Sequence, residues 1–188
     1  LLKSNFRGPD FSNSHNFISC NNEVFLGHNR LSIIDLNPTG NQPKISHSRR
    51  NMIIFNGEIY NHLKLRKKFP SQFKWASNSD TETLIELIEK YGVAQTLSMI
   101  RGMFAFAVYD FKEDTVTLAR DISGEKPLYL HFNERGFIFS SDLNSPNYLG
   151  IPSKEINQAA VNQLLKFNYI PAPYCIFKST YKLPPASY

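Results

Sequence analysis

Short apolar runs alternate with turn residues through the first part of the chain, which is typical of a β-rich region. Residues 23–28 and 51–55 are mainly apolar, and both runs predict strands. The segment 35–51 between them is rich in proline, glycine and asparagine, so it predicts a loop. Because NHLKLRKKF at 61–69 favours a helix over a returning strand, the Asn-Gly pair at 56–57 is either a turn or part of a site.

The clearest helical pattern lies at 81–92. Four apolar side chains share one face at helical spacing: Leu84, Leu87, Ile88 and Tyr91. Ser79 and Glu82 have the spacing of a capping box at the start of this helix, and Gly92 can end it. Asp80 then lies in the first turn, where the positive end of the helix dipole favours a carboxylate.

A series of closely connected strands follows this helix. The predicted strands are 103–110, 115–121, 127–132 and 136–141. Their short connections indicate antiparallel pairing, because parallel strands need longer crossovers. A second helix is predicted at 155–167. Strands, helices and further strands with few parallel crossover signals predict an α+β fold.

Composition indicates a folded domain of medium size. The chain has 188 residues, of which 41% are hydrophobic and 13% aromatic. The formal net charge is +5, but the basic residues are scattered, with dense runs only at 48–50 and 64–68. A solvated helix face and a loop explain these runs better than a nucleic-acid surface does, so no nucleic-acid partner is expected.

Several other classes of protein lack support in the sequence. Cys20 and Cys175 are far apart and form no CxxC motif, and the five histidines have no HExxH spacing, so neither a disulfide framework nor a metal site is expected. No nucleotide-binding glycine motif is present, and we expect no cofactor in this domain. Without a membrane span or a signal-peptide pattern, no membrane partner is expected and a cytoplasmic location is the default.

A small set of polar residues stands at predicted strand ends and helix starts. Arg30 follows the first strand, Asn56, Gly57 and Glu58 follow the second, and Asp80 begins the helix. Two carboxylates suit an α-ammonium group, and a guanidinium suits an α-carboxylate. The Asn56 amide and the Gly57 N–H are suitable donors to a carbonyl oxygen. Together these residues predict recognition of a free amino acid.

Each of these residues also has a purely structural interpretation when it is taken alone. Arg30 could be a surface ion-pair partner, Asp80 a helix cap, and Asn56-Gly57 a turn. The functional interpretation therefore rests on the combination.

Five motifs occur in order and carry a family resemblance: GHNRLSIIDL, FNGEIYN, SDTE, GMFAFAVYD and ARDISGEKPLYL. RGPD at 7–10 and YIPAPYCIFKSTYKLPP near the end extend it over nearly the whole chain. The sequence resembles the glutaminase domain of glutamine-dependent asparagine synthetases, which are class II, N-terminal-nucleophile glutamine amidotransferases. The resemblance implies a four-layer α/β/β/α sandwich of two antiparallel sheets.

The resemblance also implies a domain organisation and a role for each candidate residue. Residues 1–150 correspond to a glutaminase domain without its N-terminal strand, and 151–188 lead towards a C-terminal ATP-dependent synthetase domain that this chain lacks. Asn56 and Gly57 match the oxyanion-hole positions. The matching substrate-binding positions are Arg30 for the carboxylate, Leu31, Ile33 and Ile34 for the pocket wall, and Glu58 and Asp80 for the ammonium group.

In the family, the nucleophile is a cysteine at the mature N-terminus, and its own α-amine is the base. The family begins Met-Cys-Gly-Ile, and this chain contains no such segment. Cys20 and Cys175 are internal and are interpreted as ordinary thiols.

The resemblance implies glutamine as substrate and a homodimer as the assembly. Ammonia would pass to the synthetase domain, which uses ATP and Mg²⁺, with aspartate as the default acceptor. One alternative is amidation of a sugar carboxylate in surface-polysaccharide biosynthesis. Another is a non-catalytic relative that retains the amino-acid pocket as a binding or scaffold domain.

Overall fold

The computed structural model of the protein describes residues 7–20, 22–133, 136–143 and 155–188. In chain order the elements are β1 (Phe11–Ser19), β2 (Asn22–Arg30), a 3-10 turn (Pro38–Gly40), β3 (Lys44–Ile45), β4 (Asn51–Ile59), α1 (His62–Arg66), α2 (Asp80–Met99), β5 (Gly102–Asp110), β6 (Thr115–Arg120), β7 (Tyr129–Asn133), β8 (Gly136–Ser140), α3 (Gln158–Phe167) and β9 (Thr180–Lys182). Within the described ranges, no helix combines the length and the apolar character needed to cross a membrane.

The strands form three sheets with the orders β1-β2, β3-β4-β5-β6 and β8-β7-β9. The pairs β1–β2, β3–β4, β4–β5, β7–β8 and β7–β9 are antiparallel. Helices and antiparallel sheets together confirm the predicted α+β class. The pairing predicted for the four consecutive strands does not hold throughout: β5 and β6 belong to one sheet, whereas β7 and β8 pair in another with β9.

The chain divides into two compact units, Leu1–Leu118 and Ala119–Tyr188. All the candidate site residues lie in the first unit. The domain boundary predicted between residues 150 and 151 lies outside the described residues, so that division stays a prediction.

Strand β5 is buried on both faces. Residues 104–109 are consecutive in sequence and all buried. Because neighbouring side chains in a strand point to opposite faces, this burial means that both faces of β5 are covered. Its partner β4 is also largely buried, and the two strands pair over nine residues. They form the rigid support on which the candidate site stands.

Helix α2 begins where the capping pattern predicts. The Ser79 side chain accepts a hydrogen bond from the Glu82 N–H at 3.2 Å. Leu84 and Leu87 are fully buried, which confirms the predicted apolar face. The element continues to Met99, but Gly92 has a non-helical φ of 77°, so the regular helix is interrupted at the glycine that the sequence identified as its end.

Arg66 differs from the solvated helix face predicted for the basic run at 64–68. Its guanidinium donates hydrogen bonds to Thr83 Oγ1 at 2.8 Å, to the Ser77 carbonyl at 2.9 Å and to the Ser79 carbonyl at 2.8 Å. The charge therefore serves a structural purpose, because it holds the segment that leads into α2.

The β1–β2 hairpin, whose first strand the sequence did not predict, is anchored on the β5–β6 turn. Ser19 Oγ donates to the Asp114 carboxylate at 2.7 Å, and the Tyr109 hydroxyl donates to the same group. The Phe17 ring lies 4.9 Å from the Tyr109 ring and 5.0 Å from the Phe111 ring. Strand β1 is rich in Ser, Asn and His and mostly exposed, which explains why hydrophobic patterning missed it.

In the second unit, Arg120 and Asp121 fix the loop that follows β6. Arg120 donates to the carbonyls of Gly124, Lys126 and Leu183 at 2.6–2.7 Å. Asp121 accepts from the N–H groups of Ser123, Glu125 and Lys126 at 2.9–3.0 Å. Both side chains bond to main-chain groups of this loop, so their role in the structure is to fix its path.

Candidate active site

The peptide groups of β4 alternate between two edges of the strand. At one end of the β4–β5 pair the Phe111 N–H bonds to the Arg50 carbonyl at 2.8 Å, and at the other the Tyr60 N–H bonds to the Arg101 carbonyl at 2.8 Å. The register between these ends is continuous. Since hydrogen-bonded pairs alternate in an antiparallel ladder, even-numbered residues of β4 bond to β5. Odd-numbered residues, including Gly57, direct their peptide groups to the outer edge.

Two side chains occupy this outer edge on either side of Gly57. The Gln42 amide accepts from the Phe55 N–H at 2.6 Å and donates to the Phe55 carbonyl at 3.1 Å. Asp80 accepts from the Ile59 N–H at 2.9 Å. Within the described residues, the Gly57 N–H on this edge has no hydrogen-bond partner. It is therefore available to an oxygen atom of a ligand.

The Asn-Gly pair lies inside a strand and not in a hairpin turn. β4 continues to Ile59, past the predicted end at residue 55, and Asn56 and Gly57 pair with Ala105 and Phe104 of β5. The half-buried Asn56 amide forms no hydrogen bond with any described residue. Two free N–H donors from adjacent residues therefore occur on one rigid strand, as an oxyanion hole requires.

Gly57 also permits the close approach of β4 and β5. Its φ is 155°, and a Cβ atom there would lie 2.1 Å from the Met103 carbonyl oxygen and 2.7 Å from the Phe104 Cα. Both contacts are with main-chain atoms of the paired strand, so neither can be relieved by a change of rotamer. A side chain at this position would push the strands apart.

We expect Gly57→Ala to lower the free energy of unfolding by about 1–3 kcal/mol, because an overpacked backbone contact must be relieved. Urea denaturation measures this change. Gly136→Ala is the matched control: Gly136 has a φ of 141°, but a Cβ there meets nothing within 4 Å. If both variants lose the same free energy of unfolding, the positive φ alone explains the need for glycine at position 57, and the contact with β5 does not.

The carboxylates of Glu58 and Asp80 lie close enough for their charges to interact. Asp80 is 5% exposed, and burial raises its pKa, against which the Ile59 and Thr81 N–H groups act to lower it. The negative charge of Glu58 raises the pKa of Asp80 further. Neither carboxylate forms a salt bridge with a described residue. A ligand with an ammonium group would relieve this repulsion.

This arrangement predicts that Asp80 lowers stability at neutral pH. A carboxyl group with a raised folded-state pKa stabilises the fold below its unfolded pKa, and the contribution is lost as pH rises through the folded-state pKa. We therefore expect Asp80→Asn to have an unchanged or higher Tm than the wild type at pH 7, as measured by differential scanning calorimetry.

Glu82→Gln is the control, because this neighbouring buried carboxylate accepts from the Ala76 and Ser77 N–H groups at 2.8 and 2.7 Å. Loss of one such acceptor costs about 1–3 kcal/mol and lowers Tm by roughly 2–12 °C. A Tm for Asp80→Asn as low as that of Glu82→Gln would contradict the role given to Asp80.

Arg30 is buried at the end of β2 with part of its guanidinium still available. It donates to the Asn37 carbonyl at 2.9 Å, to Asn41 Oδ1 at 2.8 Å and to the Asp35 carbonyl. These bonds use three of the five N–H groups of an arginine, so Nε–H and one Nη2–H remain for a ligand. Arg30 lines an open pocket of about 350 Å³ whose other lining residues are Asp10, Phe11, Ser32, Leu36, Pro38 and Asn41.

The predicted apolar wall lies outside this pocket. Leu31, Ile33 and Ile34 are exposed by 56%, 71% and 37%, and none of them lines the pocket beside Arg30. Leu36 does line it, and the sequence interpretation did not select that residue. The pocket-wall roles of the three predicted residues stay predictions.

Sequence reasoning also missed three polar residues that support the site. The His28 ring bonds to the Phe55 main chain, and burial lowers the pKa of His28 to about 4, so the ring is neutral at physiological pH. Asp35 and Gln42 lie in the following loop and are both buried. Asp35 lies in the GHNRLSIIDL motif, and this motif was the feature of the sequence that could have identified it.

The two cysteines lack the surroundings of an activated nucleophile. Cys20 is exposed, and a hydrogen bond to Asp114, together with the negative charge of that carboxylate, raises the pKa of its thiol. Cys175 is 1% exposed. A reactive cysteine needs a lowered pKa and access to solvent, so both are interpreted as ordinary thiols. In the described part of the chain, no group of three or more His, Cys, Asp or Glu residues could hold a metal ion.

Comparison with known proteins defines the class. Residues 2–188 match the family model of the glutamine amidotransferase domain, so the chain belongs to that family. The glutamine phosphoribosylpyrophosphate amidotransferase from B. subtilis is similar in structure: the TM-score is 0.55 at 24% identity, over 66% of this chain and 29% of that one. This likeness concerns the fold, and it agrees with the predicted α+β class built from helices and antiparallel sheets.

Among curated relatives, the chain is similar to proteins named glutamine-hydrolysing asparagine synthetases, which confirms the resemblance found in the motifs. It is 36% identical to a putative asparagine synthetase of Methanocaldococcus jannaschii over 94% of this chain, and 37% identical to asparagine synthetase B of Escherichia coli over 71%. The match spans only 37% and 23% of the length of these relatives.

Proposed function

We propose that this domain hydrolyses glutamine to glutamate and ammonia. The observation that carries the proposal is the free Gly57 N–H on the outer edge of β4, between peptide groups that Gln42 and Asp80 occupy. Beside it stand the free Asn56 amide and the paired carboxylates of Glu58 and Asp80. This set of groups suits a substrate that carries both an amide carbonyl and an ammonium group.

Glutamine is held by its α-groups in this proposal. Its α-ammonium binds between Glu58 and Asp80, where it compensates two negative charges. Its α-carboxylate accepts from the Nε–H and remaining Nη2–H of Arg30, a side-on geometry that Arg50 makes with Asp110 at 2.7–3.1 Å elsewhere in this unit.

The chemistry requires a thiolate, which we assign to a cysteine at the mature N-terminus of the complete protein. The thiolate adds to the side-chain amide carbon, and the oxyanion accepts hydrogen bonds from the Asn56 amide and the Gly57 N–H. The α-amine of the cysteine holds the proton that it took from the thiol. Collapse of the intermediate breaks the C–N bond, and this proton passes to the departing nitrogen, which leaves as ammonia. Water then hydrolyses the thioester, which releases glutamate and restores the thiol.

The fate of ammonia depends on the complete protein. The match to only part of each named asparagine synthetase supports a further ATP- and Mg²⁺-dependent domain, with aspartate as the acceptor. Amidation of a sugar carboxylate is the alternative. The residues of this domain are proposed to contact glutamine and not the acceptor, so they do not distinguish the two acceptors. The homodimer and the cytoplasmic location remain predictions from the sequence.

Release of glutamate by the complete protein, purified with its natural N-terminus, tests the proposal. We expect steady formation of glutamate and ammonia from glutamine without ATP, and loss of both products when the N-terminal cysteine is replaced by serine. Binding of glutamine without any release of glutamate would favour the non-catalytic amino-acid-binding relative instead.

A further inference from the structure

Two buried side chains of the loop after β2 reach the supports of both halves of the candidate site. Asp35 is 4% exposed and Gln42 is 6% exposed. Neither belongs to the groups assigned above to glutamine. Their hydrogen bonds reach Arg30 itself and residues within two positions of Asn56 and Asp80.

Asp35 connects the carboxylate-binding and ammonium-binding ends of the site. One carboxylate oxygen accepts from the Asn37 N–H at 2.9 Å and from Asn37 Nδ2 at 3.0 Å, and the other accepts from the Asn78 N–H at 2.9 Å. The Asp35 carbonyl accepts from the guanidinium of Arg30. Asn78 lies two residues before Asp80, so a single residue sets the spacing between Arg30 and Asp80.

The Asp35 carboxylate is held in its ionised form. Burial alone would raise its pKa, but hydrogen bonds from Asn37 and Asn78, with the positive charge of Arg30, outweigh burial and lower it. A carboxylate with a lowered folded-state pKa stabilises the fold above its unfolded pKa, and this is lost as pH falls through the folded-state pKa. Asp35 is therefore a fixed acceptor at every physiological pH.

Gln42 supports the oxyanion donors in a similar way. Its amide bonds to both peptide groups of Phe55, the residue before Asn56, and it donates to Thr81 Oγ1 at 3.3 Å. It thus replaces a strand neighbour on the outer edge of β4. The direction of the next peptide, which carries the Gly57 N–H, depends on how Phe55 is held.

We propose that Asp35 and Gln42 are positioning residues with separable effects on glutamine hydrolysis. Asp35 sets the distance between the groups that bind the α-carboxylate and the α-ammonium, so it acts on substrate affinity. Gln42 orients the two oxyanion donors, so it acts on turnover. The inference rests on the proposed hydrolysis of glutamine.

The first arm of the test is Asp35→Asn in the complete protein. All three groups facing the carboxylate are N–H donors, so an amide NH₂ in its place must oppose at least one of them. We expect the KM for glutamine to rise about tenfold while kcat stays within about threefold. The inhibition constant of L-glutamate, which has the same α-groups, should rise in parallel with KM.

The second arm is Gln42→Glu, which keeps an acceptor for the Phe55 N–H but removes the donor to the Phe55 carbonyl. We expect kcat to fall about tenfold while KM stays within about threefold. The concentration of active sites is measured by alkylation with a diazoketone analogue of glutamine. Dividing the rate by this concentration gives kcat for the folded enzyme alone, so that unfolded protein does not lower the value.

Asp110→Asn is the matched control. Asp110 also accepts from an arginine and from a backbone N–H, that of Lys112 at 2.9 Å. It lies opposite Asn51, five residues along β4 from Asn56, a separation of about 17 Å. This variant should change Tm without changing KM or kcat.

Three outcomes separate the inference from the proposed function. Inactive wild-type protein would refute the proposed function. If the wild-type protein is active but each variant changes KM and kcat to the same extent, the inference alone is refuted. The same holds if neither variant changes KM or kcat. If Asp35→Asn does not fold, Asn37→Ala decides, because it removes one bond to Asp35 from the surface. It should raise KM about threefold, and an unchanged KM would overturn the inference.

Discussion

Replacement of Asp80 by asparagine raises the KM for glutamine by about 30-fold or more, because removing one partner of a buried charge pair costs at least about 2 kcal/mol. The isosteric amide retains an oxygen for the Ile59 N–H, which Asp80 binds at 2.9 Å. It cannot supply the second negative charge that the α-ammonium group meets beside Glu58. kcat should change much less, since Asp80 does not face the reacting carbonyl.

Steady-state glutaminase kinetics measure this result, with calorimetry of the same samples as the stability control. The combination is diagnostic: affinity falls while Tm at pH 7 stays the same or rises, because ionised Asp80 is unfavourable in the absence of a cation. An unchanged KM would remove Asp80 from the substrate site, whatever its effect on stability.

We expect replacement of Asn56 by alanine to lower kcat by about 100-fold or more, which is the effect that removing one oxyanion-hole donor has in other enzymes. The Asn56 amide forms no hydrogen bond with a described residue, so its removal breaks no hydrogen bond of the fold. KM should change little, because the donor acts mainly on charge that develops in the transition state.

Asn61→Ala is the control for that experiment. Its amide donates to the Met99 carbonyl at 3.0 Å and accepts from the Arg101 N–H at 2.9 Å, so it joins α1 to the end of α2. We expect lower stability with nearly normal kcat. A near-wild-type rate in Asn56→Ala would leave the Gly57 N–H as the only assigned oxyanion donor.

Hydrophobic periodicity was sufficient for the elements that build the core. The continuous apolar run in β5 and the i, i+3, i+4 spacing in α2 correspond to side chains that are buried in the structure. The capping pattern at Ser79 placed Asp80 at the beginning of α2, where it lies. These features depend on local sequence, so they could be predicted without knowledge of the tertiary fold.

Features that depend on distant partners could not be predicted. Asn56-Gly57 has a local preference for a turn, but pairing with β5 keeps this segment extended through Ile59. Arg66 looked like a solvated residue because its acceptors, from Ser77 to Thr83, come from another part of the chain. β1 owes its pairing to β2, since its own side chains are polar and exposed.

The site was only partly predictable for the same reason. The residues proposed to bind glutamine were selected from their residue types in combination and from the family motifs. The free edge at Gly57 becomes visible only when the neighbouring peptide groups are seen to be occupied by Gln42 and Asp80. The exposure of Leu31, Ile33 and Ile34 depends on the path of the loop after β2, which local sequence does not determine.

A crystal structure of the complete protein with L-glutamate bound tests the proposed glutamine site most directly. We expect the α-ammonium within hydrogen-bond distance of Glu58 and Asp80, and the α-carboxylate on the Nε–Nη2 edge of Arg30. We also expect one side-chain oxygen within about 3 Å of the Gly57 nitrogen. Glutamate bound elsewhere, or bound with its side chain away from Asn56 and Gly57, would refute the proposed site.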